Sequence, residues 1–133
     1  MTHLSQALEF RLKFKQHCIP RAAISVGVDD SFALGMQLGL IEEESSEFRE
    51  AIGDWLGAGG LTAKAQALKE LADLVYVCYQ MAAFLGVDLD EALDRVHVSN
   101  MSKVDDDGNP VFNTFGKVMK GPNYKEPYLN DLV

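Results

Sequence analysis

Residues 40–51, LIEEESSEFREA, and residues 68–77, LKELADLVYV, decide how this chain folds. In the first, Glu44 and Glu47 are three apart; in the second, Glu70 and Asp73 are three apart. Side chains at that spacing are neighbours on a helix surface, so each stretch gives a carboxylate pair carried on an apolar helix. Two like charges about 4 Å apart repel by roughly 4 kcal/mol at an effective dielectric near 20. Four such groups in one place call for protonation or a bound cation.

Working outward, Leu4, Ala7, Leu8 and Leu12 recur at steps of three and four, predicting a first helix from about Thr2 to Cys18, stopped by Pro20. A second helix, over about 31–56, is expected after a cap from Asp29, Asp30 or Ser31, with Gly57, Gly59 and Gly60 ending it. Thr62 is read as the cap of a third helix, over 62–85, that is nearly all apolar and so belongs at a bundle centre or a subunit interface. Asp88 followed by Glu91 has the form of a capping box opening a fourth helix. Short loops make neighbours antiparallel. The expected fold is all-α: an antiparallel helical bundle of about four helices in a single domain, 1–133, with an irregular tail over 105–133.

The 22 residues between Glu47 and Glu70 allow a helix end, a glycine turn and a return, which sets the two pairs level as one cage. Its all-oxygen donor set suits Mg²⁺ or Mn²⁺ with positions left for phosphate oxygens. Against this stands the reading of Glu42 to Glu50 as a solvated helix face, but Glu70 and Asp73 sit among Leu68, Leu71, Ala72, Leu74 and Val75, where such a face would be narrow. Asn100 and Lys103, again three apart, are suited to phosphate oxygens. Lys117, Lys120 and Lys125 are either solvated or positioned to close over a triphosphate. Trp55, Phe32 and Tyr76 are either core residues or stacking partners for a base.

Other chemistries are excluded or disfavoured. The net charge of −8 disfavours duplex nucleic acid while leaving a cation-bridged nucleotide open. No apolar run spans a bilayer and the start carries no secretory pattern, so a cytoplasmic protein with no membrane partner is expected. Cys18 and Cys78 lack metal-ligand spacing and are read as buried free thiols. His3, His17 and His97 form no ligand motif, which sets aside the Glu-x-x-His pairs of di-iron bundles. The turn Asp105-Asp106-Asp107-Gly108-Asn109-Pro110 lacks the alternating ligands of a calcium loop. P-loop, Rossmann and nucleophile-elbow motifs are absent.

Glu43-Glu44-Ser45-Ser46-Glu47 followed by Glu70-Leu71-Ala72-Asp73 resembles the EExxE and ExxD signature of the all-α nucleoside triphosphate pyrophosphohydrolases, and Ser31 to Lys103 is similar to a short MazG-like protein. The tail stretches SNMSKVDDDGNPV and GKVMKGPNYKEPYL resemble phosphoribosyl-ATP pyrophosphohydrolase-like members and phage-encoded MazG-like members of the MazZ type. The resemblance implies a homodimer or homotetramer with sites near subunit interfaces, and Mg²⁺-dependent cleavage between the α and β phosphates of a nucleoside triphosphate. It implies Glu44, Glu47, Glu70 and Asp73 as metal ligands, Glu44 or Glu47 as the group that activates water, and Asn100 and Lys103 as phosphate holders. Glu43 is a supporting residue, since it faces about 100° from Glu44 on a helix. A purine substrate, dGTP or GTP, is the expectation, with phosphoribosyl-ATP, dCTP or dUTP as alternatives. A helical regulatory protein without catalysis is the rival of another class.

Overall fold

Helix α1 spans His3–Lys13, and the Thr2 hydroxyl accepts from the Ser5 amide at 3.1 Å to cap it. The helix ends five residues before the expected Cys18, without help from Pro20. The Lys15 amide donates to the Leu12 carbonyl and the Gln16 amide to the Arg11 carbonyl, a Schellman closure with Lys15 at φ 57. Glycine ordinarily holds that left-handed position; a lysine there costs about 1 kcal/mol. These terms are set by the turn and not by apolar periodicity, which is why the pattern runs past the true end.

The computed structural model describes Met1–Val133, arranged as two compact units, Met1–Val87 and Asp88–Val133. All regular structure is helical apart from two isolated bridges, Val104 with Pro110 and Phe112 with Val118. No single helix is long and apolar enough to cross a membrane.

Helix α2 spans Val28–Ala58 with Gly27 at the cap position and no side-chain cap. The expected cap at Asp29, Asp30 or Ser31 is therefore displaced: Asp29 and Asp30 lie in the first helical turn, where their charge meets the helix dipole. The helix also runs through Gly57 and stops only at Gly59, whose amide reaches the Trp55 carbonyl at 2.7 Å. Gly59 at φ 69 and Gly60 at φ 91 reverse the chain in two residues. Helix α3, Leu61–Leu85, follows at once, and Thr62 is its second residue and no cap.

Helix α3 packs against both α2 and α1. Its C-terminal half supplies much of the core of the first unit: Tyr79, Ala82, Ala83 and Phe84 are buried, and Ala7, Ile19, Ala51 and Ala67 are buried elsewhere in the unit. The N-terminal half differs, since Leu68 and Leu71 remain exposed, Leu68 by 67%, and Val75 just past the midpoint is exposed too. Gly86 closes α3 at φ 71, and a Cβ there would lie 2.8 Å from the Ile19 carbonyl oxygen. Cys78 is half-buried, which pushes its thiol pKa up, whereas Cys18 is exposed, contrary to the expectation of two buried thiols. It follows the early end of α1 and has no helix to bury it.

In the second unit, helix α4 spans Leu89–Met101, and the Asp88 carboxylate accepts from the Glu91 amide at 3.0 Å. The box is one-sided, because the Glu91 carboxylate binds Arg95 at 2.9 Å while the Asp88 amide donates to the Leu132 carbonyl. Ser102 is the C-cap, so Lys103 lies past the helix end and shares no helix face with Asn100, as the spacing had suggested. The tail is irregular, as expected, but anchored. The Asp105 carboxylate accepts from the Asp107 and Asn109 amides, and Asn113 does the same for Phe115 and Lys117. The Ser99 hydroxyl donates to the Lys125 carbonyl at 2.7 Å, and the Lys125 amide returns a bond to the Ser102 hydroxyl. A 3₁₀ turn at Asn130–Leu132 ends the chain.

Candidate metal and phosphate site

The glycine reversal between α2 and α3 brings Glu44, Glu47 and Glu70 together, with one oxygen of each within 4.8 Å of the others. Glu70 is 7% exposed. One of its oxygens accepts from Gln66 Nε2 at 2.7 Å and Lys69 Nζ at 3.2 Å. The other is sealed from water without a partner, and so is Oε2 of Glu44. Burial is the first cause that raises the Glu44 carboxyl above its ordinary value; the charge of Glu47 and a hydrogen bond with it follow, then Asp73 and Glu70.

Asp73 stands beside this triad and not in it. Its carboxylate is drawn to Lys69 at 2.7 Å, one turn earlier on α3, though its charge still acts on Glu44. The Lys69 ammonium is held charged by hydrogen bonds to Asp73 and Glu70. Glu43 is exposed and lies outside the cluster.

Buried polar atoms are nearly always satisfied, so the two sealed carboxylate oxygens of Glu44 and Glu70, in a cluster with Glu47, form a donor set suited to a cation. The donors are all oxygen, on two helices, and Glu47 is exposed to solvent. These residues fit a hard divalent cation that keeps part of its shell for water or phosphate. Gln66 and Lys69 escaped the reading of the sequence. Their signal was present in the spacing, since Gln66 precedes Glu70 by four and Lys69 precedes Asp73 by four.

In the second unit, Asn100 and Lys117 are exposed. Lys103 and Lys120 converge on one ring, with Nζ atoms 5.9 Å and 4.6 Å from the Tyr124 centroid. Lys117 does not share that ring. No motif pointed to Tyr124, which reaches these lysines through the folding of the tail. Of the aromatic candidates, Phe32 is 74% exposed and is not core. Trp55 lies under Lys64 at 5.6 Å, and Tyr76 meets Phe10 edge-on at 5.8 Å.

No curated protein matches the chain. The family profile of phosphoribosyl-ATP pyrophosphohydrolase matches residues 28–100, which contain α2, α3 and every member of the carboxylate cluster. Since that match covers more than half of the sequence, the chain belongs to the phosphoribosyl-ATP pyrophosphohydrolase family.

Proposed function

We propose that this nucleotide pyrophosphohydrolase acts on a purine nucleoside triphosphate, dGTP or GTP first, releasing the monophosphate and pyrophosphate. The observation that carries the reading is the pair of sealed oxygens on Glu44 and Glu70 beside Glu47. Glu44, Glu47, Glu70 and Asp73 would hold Mg²⁺ or Mn²⁺, which when bound supplies charge for the phosphate oxygens and lowers the pKa of a nearby water. Lys69 orients the carboxylates of Glu70 and Asp73 through its two ion pairs. Glu44, with its raised pKa, is the better of the two candidates to take the proton of the attacking water; Glu47 is the other. Water adds to the α phosphorus, the bond to the bridging oxygen breaks, and the electron pair leaves with pyrophosphate. Lys103 and Lys120 are assigned to hold phosphate oxygens, with Asn100 and Lys117 as further contacts.

A homodimer or homotetramer is part of this reading. Leu68, Leu71, Val75 and Tyr76 line an apolar groove of about 360 Å³ beside α1, and a second copy would cover it. A clean monomer in light scattering would remove this part alone. A cytoplasmic location, in a host cell if the chain is phage-encoded, fits a nucleotide substrate.

The test is pyrophosphate release from a panel of ribo- and deoxynucleoside triphosphates, with phosphoribosyl-ATP included because the matching family carries that name. Mg²⁺-dependent turnover with a purine preferred, lost in Glu47→Ala, is the expected result. Preference for phosphoribosyl-ATP would replace the substrate. No turnover together with no Mg²⁺-dependent rise in melting temperature would favour a regulatory protein.

A further inference from the structure

The first unit buries a second charge, and it is positive. Arg11 of α1 is 4% exposed. Its Nη2 donates to the His17 carbonyl at 2.7 Å, its Nη1 reaches Gln80 Oε1 only at 3.5 Å, and its plane lies over Phe84. Its Nε is sealed without an acceptor. A guanidinium does not discharge, and one buried this far ordinarily faces a carboxylate. Arg11 forms no ion pair.

A cavity of about 300 Å³ opens beside it. Arg11 of α1 and Lys15 just beyond its end line it; so do Ala33, Met36, Gln37 and Leu40, which share one face of α2. Gln37 is 7% exposed and its Oε1 is also sealed without a partner. His17 lines the cavity as well, but its Nε2 is engaged by Asp30 at 2.7 Å. No carboxylate lines this space, although the chain as a whole is strongly acidic. Lys15 is brought to the cavity by its left-handed turn.

We propose that this cavity is a second binding site, taking the phosphate group of a small organic phosphate monoester. Two cations and a sealed Nε call for an anion with several acceptor oxygens. The orphaned Gln37 oxygen calls for a donor, and a hydroxyl on the carbon skeleton of such an ester supplies one where acetate has none. The apolar wall and a volume at the lower end of ligand pockets leave room for a carbon skeleton. The site does not depend on the assignment of the carboxylate cluster.

The experiment uses the full chain in EDTA, so that no divalent cation can tether phosphate to the carboxylates. Inorganic phosphate, ribose 5-phosphate and acetate are titrated by calorimetry and by melting temperature. Both phosphates should bind and raise the melting temperature, the ester about tenfold more tightly, and acetate should not. Arg11→Lys should weaken ester binding by at least about tenfold, and Lys15→Gln and Gln37→Leu by several-fold each. The latter two keep the proposal open to refutation if Arg11→Lys fails to fold. Absence of phosphate binding, or binding unchanged in Lys15→Gln and Gln37→Leu, overturns the site. Equal affinity for inorganic phosphate and ester overturns its assignment to a monoester.

Discussion

Two polar layers lie in the first unit, and they differ in sign. One contains Glu44, Glu47 and Glu70; the other contains Gln37 and Gln80 with Arg11 reaching in from α1. Gln37 precedes Glu44 by seven residues and Gln80 follows Glu70 by ten, so the layers are about 10 to 15 Å apart along the helices. The acidic layer is partly neutralised from within, because Lys69 bonds two of its neighbouring carboxylates. The basic layer has only neutral partners. One unit thus buries groups of opposite sign, and each lies beside an opening: the exposed Glu47 for one, the cavity beside Arg11 for the other. Burial alone does not determine the sign of the missing partner; the chemistry of the orphaned atoms does.

The largest way to separate the layers is to remove a charge from one. Glu70→Gln should lower Mg²⁺-dependent turnover by about 100-fold or more while leaving phosphate affinity in EDTA unchanged. A matching loss at both places would show that the layers are one site. Gly86→Ala acts from the other side. Its left-handed φ and the 2.8 Å approach to Ile19 predict a loss of about 3 kcal/mol in urea unfolding. It should also loosen the segment from His17 to Ile19 that accepts from Arg11, lowering phosphate affinity more than Mg²⁺ affinity.

A subtler test uses pH. The raised Glu44 carboxyl favours the folded state while protonated. That contribution is full below the ordinary carboxyl value of 4.5 and disappears as pH rises through the raised one. Metal-free protein should therefore lose melting temperature across that window, Glu44→Gln should lose less, and saturating Mg²⁺ should restore the wild type at neutral pH. The smallest effect belongs to Lys15→Gly. Relief of the left-handed turn should add about 1 kcal/mol of stability while phosphate binding weakens, separating the turn's strain from its use.

The contrast also explains what could be read in advance. Glu44 with Glu47 and Glu70 with Asp73 are local repeats, and two glycines between their helices announce the reversal, so the acidic layer was legible. Its completion by Gln66 and Lys69 was equally local and was overlooked. Arg11 and Gln80 are separated by 69 positions on helices that do not follow one another, and no spacing encodes their meeting. Helix ends were misplaced where a glycine or a left-handed lysine stood in place of a side-chain cap, as at Gly27, Gly60 and Lys15. The tail was legible as irregular from its turn residues, but its anchoring by serines of α4 had no periodic signature.

Arg95 carries one more consequence. Its guanidinium grips Asp131 through two bonds, and donates to the carboxylate of Glu91 beside it and to the Tyr128 carbonyl. Meanwhile the Leu132 carbonyl takes the amide of Asp88 at the start of α4. Helix start and chain end therefore hold one another, and neither can fray without releasing the other. In amide exchange the first turn of α4 and residues 128–132 should behave as a single cooperative unit, protected together and opening together.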